Sequence, residues 1–195
     1  MDASVLDPCC GSRMFWFEPE PQGVLFGDIR SEEHVLCDGR ALSIKPDIIM
    51  DFRDMPFPDD SFGLVVFDPP HLRRAGQRSW LRAKYGILTD DWQDDLRRGF
   101  AECFRVLKPS GVLIFKWNET QIKTSEILAL TPERPLFGHP SGKRVGTHWV
   151  TFMKSAAHSA PPPNHPHNGL PVDHAGAEHR STNEPNPAHG LGLLS

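Results

Sequence analysis

Five short apolar runs constrain this chain more than any other feature, because polar residues do not alternate within them. They are Ser4-Val5-Leu6, Gly23-Val24-Leu25-Phe26, Asp47-Ile48-Ile49-Met50, Phe62-Gly63-Leu64-Val65-Val66-Phe67 and Gly111-Val112-Leu113-Ile114-Phe115. A strand with one wet face alternates. A strand that is apolar throughout is covered on both faces, as strands of a parallel sheet are. Asp91 to Leu107 places Trp92, Leu96, Phe100, Cys103, Phe104 and Leu107 along one face at helical spacing. Lys108-Pro109-Ser110-Gly111 then stops that helix. Strands alternating with helical pattern imply an α/β fold with right-handed crossovers. Thr147 to Lys154 alternates and reads as the last strand.

Residues 1–154 therefore read as one domain. From Ser155 to Ser195 the composition turns to Pro, His, Asn, Gly and Ala, with six of the ten histidines and the run Pro161-Pro162-Pro163. Such a segment cannot bury enough apolar surface to offset its ordering entropy and reads as a disordered tail. Its histidines are also compatible with loose metal binding. The cysteines Cys9, Cys10, Cys37 and Cys103 form no Cys-x-x-Cys pair, which argues against a structural metal site and for a reduced, cytoplasmic protein. The first residues do not form a secretory signal, and no apolar stretch is long enough to span a bilayer. The formal net charge of −4 argues against tight nonspecific nucleic-acid binding by the molecule as a whole.

In a parallel α/β sheet, ligands bind beyond the carboxyl ends of the strands. Four of the apolar runs lead into an aspartate there: Asp7, Asp28, Asp51 and Asp68. One such acid is as well explained by capping a turn, but four on one edge suggest a site.

These residues carry a family resemblance. Asp7-Pro8-Cys9-Cys10-Gly11-Ser12 resembles the first motif of class I S-adenosylmethionine-dependent methyltransferases, in the form found in the amino-methyltransferase branch. Asp51 to Phe62 resembles the stretch between the third and fourth strands, and Arg105 to Val112 the passage from helix to fifth strand. Asp68-Pro69-Pro70-His71 resembles the catalytic tetrapeptide of DNA adenine-N6 and cytosine-N4 methyltransferases. The likeness covers residues 4–154. It implies a Rossmann-like fold, a mostly parallel sheet with helices on both faces and an antiparallel last strand. It departs from the family at Arg13, where many members have a second glycine, and at His71, where Tyr or Phe is usual.

The resemblance also assigns roles. Asp7, Cys9, Gly11, Asp28, Asp51 and Phe52 would bind S-adenosylmethionine. Gly11 lets the backbone approach the ligand, and a helix following it would offer free N–H groups to the cofactor's carboxylate. Asp28 would hold the ribose hydroxyls, Asp51 the adenine amine and Phe52 the purine face. Gly11 in a plain turn, Asp28 as a cap and Phe52 as a core ring are the structural alternatives. Asp68, Pro69, Pro70 and His71 would form the catalytic group. The Asp68 carboxylate and the Pro69 carbonyl would accept hydrogen bonds from an exocyclic amine, and His71 would stack on a flipped base or take its proton. Between Leu72 and Asp90, Arg73, Arg74, Arg78, Arg82 and Lys84 interleave with Trp80 and Tyr85, a pattern suited to phosphate contacts with base stacking and equally to a solvated loop. The expected substrate is a nucleic acid, DNA before RNA, with a partner protein able to supply specificity. Methylation of a small molecule or protein side chain, and a noncatalytic cofactor-binding module, stand as alternatives.

Overall fold

The computed structural model describes residues 3–36, 38–77, 79–141 and 146–156. Cys37, Arg78 and nearly all of the expected disordered tail, 155–195, lie outside the described residues. The strands are β1 (Val5–Asp7), β2 (Val24–Asp28), β3 (Glu32–Val35), β4 (Ala41–Ile44), β5 (Ile48–Ile49), β6 (Phe62–Phe67), β7 (Leu107–Asn118), β8 (Phe137–Ser141) and β9 (Thr147–Met153). The helices are α1 (Trp80–Tyr85), α2 (Trp92–Val106) and α3 (Thr124–Leu128). Seven strands form one sheet in the order β5-β2-β1-β6-β7-β9-β8. β5, β2, β1, β6 and β7 run parallel, whereas β9 is antiparallel to both β7 and β8. The chain builds outward from β1 through β2 to β5, then returns to β6 on the other side of β1. That reversal opens a crevice at the carboxyl ends of β1 and β6.

One face of the sheet carries the main core. Leu6, Leu25, Val65, Phe67, Leu113, Phe115 and Phe152 pack there with Leu96, Phe100, Cys103 and Phe104 of α2. Burial of each large side chain contributes about 1.5–3 kcal/mol. α2 can lie close because position 99 is glycine. A Cβ there would come within 2.7 Å of the Phe52 ring and 2.9 Å of Phe67.

The connection from β1 to β2 departs from expectation, since residues 11–20 form turns and bends and no helix follows Gly11. Pro19 and Pro21 cannot donate to a helical ladder, and Gly11 and Arg13 take left-handed φ of 50° and 56°. Arg13 stands in a conformation suited to glycine and is not at the start of a helix. Its guanidinium offsets that strain by donating to the carbonyls of Pro19 (3.1 Å) and Lys45 (2.8 Å) and to Asp47 (3.1 Å), while lying 3.9 Å above the Phe26 ring. Trp16 meets Phe26 edge-on at 5.3 Å. Rings and a guanidinium thus cover this part of the second sheet face in place of a helix.

Other differences are local. The run at Asp47–Met50 gives a two-residue edge strand with Ile49 exposed, not a strand buried on both faces. β7 starts at Leu107, with its pairing to β6 irregular near Phe62–Leu64 and Ser110 at φ 63°. The β3–β4 hairpin and the edge strand β8 were not expected. No helix among the described residues is long and apolar enough to cross a membrane.

Candidate active site

The crevice is lined by the turn after β1 (Pro8 to Ser12), by Asp28 and Arg30 after β2, by Phe52, by Asp68, Pro69 and Pro70 after β6, by Lys84 and Tyr85 of α1, and by Lys116 of β7. Parallel strands that stop at one level bring these distant segments together.

Asp7 lies fully buried beneath the turn. Its carboxylate accepts from the Cys9 amide (3.2 Å) and the Trp16 indole (2.8 Å). Burial nevertheless pushes its pKa up to about 7, because desolvation of the charged form outweighs both donors. Asp7 therefore shapes the turn from below and does not line the crevice. The Gly11 amide donates to Asp28 at 3.0 Å. The Arg30 amide (2.9 Å) and guanidinium (3.3 Å) donate to the other oxygen of Asp28, and Arg30 also donates to the Ala83 carbonyl at 3.1 Å. Asp28 thereby ties the glycine turn, β2 and α1 together. Cys9 lines the crevice with its thiol pKa raised by burial, which leaves it protonated and unreactive.

Asp51 is not brought to the crevice. Both of its oxygens accept from Arg53, which also bonds Asp95 at 2.7 Å. This ion pair holds the Asp51 carboxyl below its usual range. Phe52 does reach the crevice, with one edge packed on Phe67 at 5.4 Å. It serves as a core ring and a wall together.

Asp68 receives Lys116 Nζ on Oδ2 at 2.5 Å. Burial raises its carboxyl pKa, and the Lys116 ammonium opposes that rise. Oδ1 has no hydrogen-bond partner among the described residues and lies on the crevice side chain that Lys116 steadies. Lys116 in turn sits 5.1 Å from the Phe15 ring and 5.7 Å from that of Trp149. His71 is set back from the crevice, against Tyr85 (5.0 Å) and the edge of Trp117 (6.3 Å). Burial, with Lys116 nearby, lowers its pKa to about 4, so the ring is neutral at pH 7.

Sequence reasoning missed Lys116, Arg30 and Trp16. The one available signal was Lys116 itself, a lone charge inside the otherwise apolar run from Val112 to Trp117. In the 72–90 segment, the Arg73 and Arg74 amides are held by Gln121 at 2.7 and 3.0 Å, and Trp80 is exposed. Among the described residues no three His, Cys, Asp or Glu side chains are grouped to hold a metal ion.

No protein-family model matches the chain, and no curated protein does. Among solved structures, the PH0226 protein from Pyrococcus horikoshii OT3 is similar at TM-score 0.53 and 17% identity, over 77% of this chain and 81% of that one. A TehB-like SAM-dependent methyltransferase from Corynebacterium glutamicum is similar at TM-score 0.50 and 16% identity, over 79% and 81%. Likeness of this degree establishes the fold, the Rossmann-like fold of class I methyltransferases.

Proposed function

We propose that the protein is an S-adenosylmethionine-dependent methyltransferase whose acceptor is the exocyclic amine of a nucleobase, adenine N6 in DNA foremost. One observation carries the reading: the carboxylates Asp28 and Asp68 share a single crevice with the left-handed glycine turn at Gly11 between them. The donor set fits the cofactor. Asp28 and Gly11 suit its ribose and the backbone beside it, and Phe52 offers a wall to the purine. Asp51 falls outside this set because Arg53 occupies it.

The bound cofactor would supply an electrophilic methyl group. The chain's own part is to prepare the acceptor. An exocyclic amine is a poor nucleophile while its lone pair is delocalised into the ring. Oδ1 of Asp68 and the Pro69 carbonyl can both accept from that amine and draw it toward tetrahedral geometry. Lys116 fixes the carboxylate through Oδ2 and leaves Oδ1 for the acceptor. The two prolines fix φ and aim the carbonyl. Most of the rate would then come from positioning.

A second reading is favoured by Tyr85, which already lies 5.0 Å from the His71 ring that would otherwise stack on a flipped base. A smaller acceptor, the amine of a small molecule or protein side chain, does not require that face. Transfer of tritiated methyl from the cofactor to DNA, RNA and the small-molecule and protein fractions of a lysate separates these acceptors. Label in DNA adenine is the expected result, and label confined to another fraction would replace it. Asp68→Ala should lower transfer by about a hundredfold or more with cofactor affinity retained. Cofactor binding with no transfer to any fraction would reduce the protein to a binding module.

A further inference from the structure

We propose that Lys84 holds the α-carboxylate of the cofactor, a task that usually falls to the amides of a helix following the glycine turn. The inference rests on the cofactor reading above and begins from the helix that is not formed. Residues 11–20 turn and bend instead, and four amides in and beside the turn are already spent. Cys9 N–H donates to Asp7, Cys10 N–H to the Gly27 carbonyl at 2.9 Å, Gly11 N–H to Asp28, and Arg13 N–H to the Cys10 carbonyl at 2.8 Å. The Ser12, Met14 and Phe15 amides have no acceptor among the described residues, but they do not form the aligned first turn of a helix whose N–H groups would converge on an anion.

The surroundings are also acidic. Asp28 and Asp68 line the crevice, and Asp7 lies just beneath. Each lining carboxylate already holds a cation, so a further anionic group needs a cation that is not yet committed. Three cations line the crevice. Arg30 is committed to Asp28 at 3.3 Å and Lys116 to Asp68 at 2.5 Å. Lys84 makes no ion pair among the described residues. Its ammonium instead rests 5.3 Å from the Trp80 ring and 4.9 Å from Tyr85, itself a wall of the crevice. Its position is fixed from two sides. Arg30 binds the neighbouring Ala83 carbonyl, and the Lys84 carbonyl lies 3.8 Å from where a Cβ on Gly11 would stand. α1 therefore sets the backbone of Lys84 beside the glycine turn and makes its side chain, which has no ion pair among the described residues, part of the crevice lining.

Two probes isolate the carboxylate: S-adenosylhomocysteine, which carries it, and 5′-methylthioadenosine, which lacks the amino-acid moiety. Calorimetric titration of the full chain should find that Lys84→Gln weakens S-adenosylhomocysteine by about tenfold or more, the scale of a charge-assisted hydrogen bond, and leaves 5′-methylthioadenosine within about twofold. Lys84→Arg should keep most of the affinity. On the wild type, salt should weaken the first probe and not the second, which tests the idea even if a variant misfolds. Equal weakening of both probes by Lys84→Gln, or wild-type affinity equal for the two, overturns the role of Lys84 and leaves the cofactor reading standing. A wild type that binds neither probe overturns both.

Discussion

Residues with the same apparent position in the sequence pattern do different work because their surroundings differ. Of the four strand-end aspartates, Asp68 and Asp28 face the crevice, Asp7 lies under it and Asp51 is taken by Arg53. Asp7 and His71 also titrate in opposite senses. His71 is held down to about 4 from an ordinary 6.5, so the unfolded chain binds more protons in that window. Stability from His71 is present above pH 6.5 and is lost as pH falls through that window toward 4. Asp7 is raised from 3.8 to about 7, so the folded protein binds more protons there. Its effect has the other sign, with stability lost as pH rises toward 7. His71→Phe keeps the ring against Tyr85 and Trp117 and removes only the titration. Thermal melts should show the variant gaining on the wild type as pH drops from 7 to about 4.5, over the range set by the His71 shift. A gap that stays constant with pH would mean that the ring is not held neutral by burial.

At the scale of elements, the β1–β2 connection decides how the crevice is built. The Trp16 indole donates to the buried Asp7 carboxylate and thereby pins a segment with no helical hydrogen bonds of its own. Trp16→Phe keeps most of the ring area against Phe26 and leaves that oxygen unpartnered. Denaturant titration should show a loss of about 1–3 kcal/mol, the usual cost of an unsatisfied buried polar group. A loss under about 0.5 kcal/mol, within the range of ordinary surface substitutions, would remove the bond from the account. Gly99→Ala sets two effects against each other. Alanine improves helix propensity by about 1 kcal/mol, but its Cβ would meet Phe52 and Phe67 at 2.7–2.9 Å. Crowding against rings fixed on the sheet should win, so the melting temperature should fall and the Phe52 wall should shift. The sequence made β6 and α2 legible because each is long and strongly patterned. It hid β3–β4, whose outward positions Glu32, Glu33 and Ser43 read as loop while only Leu42 and Ile44 are buried. It hid β8 because Gly138 and Pro140 are poor strand residues, tolerated here on an edge. The missing helix after Gly11 was a cost of the resemblance itself, since Pro19 and Pro21 oppose a helix there. In the crevice, Asp28, Gly11 and the Asp68-Pro69-Pro70 turn were legible as motif, whereas Lys116 and Arg30 were not. Their meaning depends on which carboxylate they meet, and pairing between distant strands is invisible in a single chain's pattern.

At the scale of the whole molecule, the described fold closes on Lys154, the residue where the composition of the chain changes. Its backbone exchanges hydrogen bonds with Gly111 (2.9 Å) and Ser110 (3.0 Å). Its ammonium donates to the carbonyls of Leu107 (2.6 Å) and Arg105 (3.3 Å) and pairs with Asp60 at 2.7 Å. These carbonyls stand where α2 passes into β7. The Leu107 amide makes the last helical bond, to the Cys103 carbonyl, before the chain becomes extended, and a cation beside the last helical carbonyls is favourable to the helix dipole. Lys154 thus fastens β9, the end of α2 and the turn before β6 together. We therefore expect truncation after Lys154 to leave the melting temperature and cofactor affinity of the full chain unchanged within error, because residues 155–195 have the composition of a segment that adds no core. Lys154→Met, which keeps the length of the side chain and removes the charge, should instead destabilise the full chain by about 1–3 kcal/mol, as it takes the ammonium from the Leu107 carbonyl and from Asp60, while the Arg105 carbonyl keeps the Asp60 amide. The two variants separate the two halves of the claim. A truncated chain that melts many degrees lower would show that the tail packs on the domain, and a Lys154→Met chain as stable as the wild type would show that the sheet closes without this clasp.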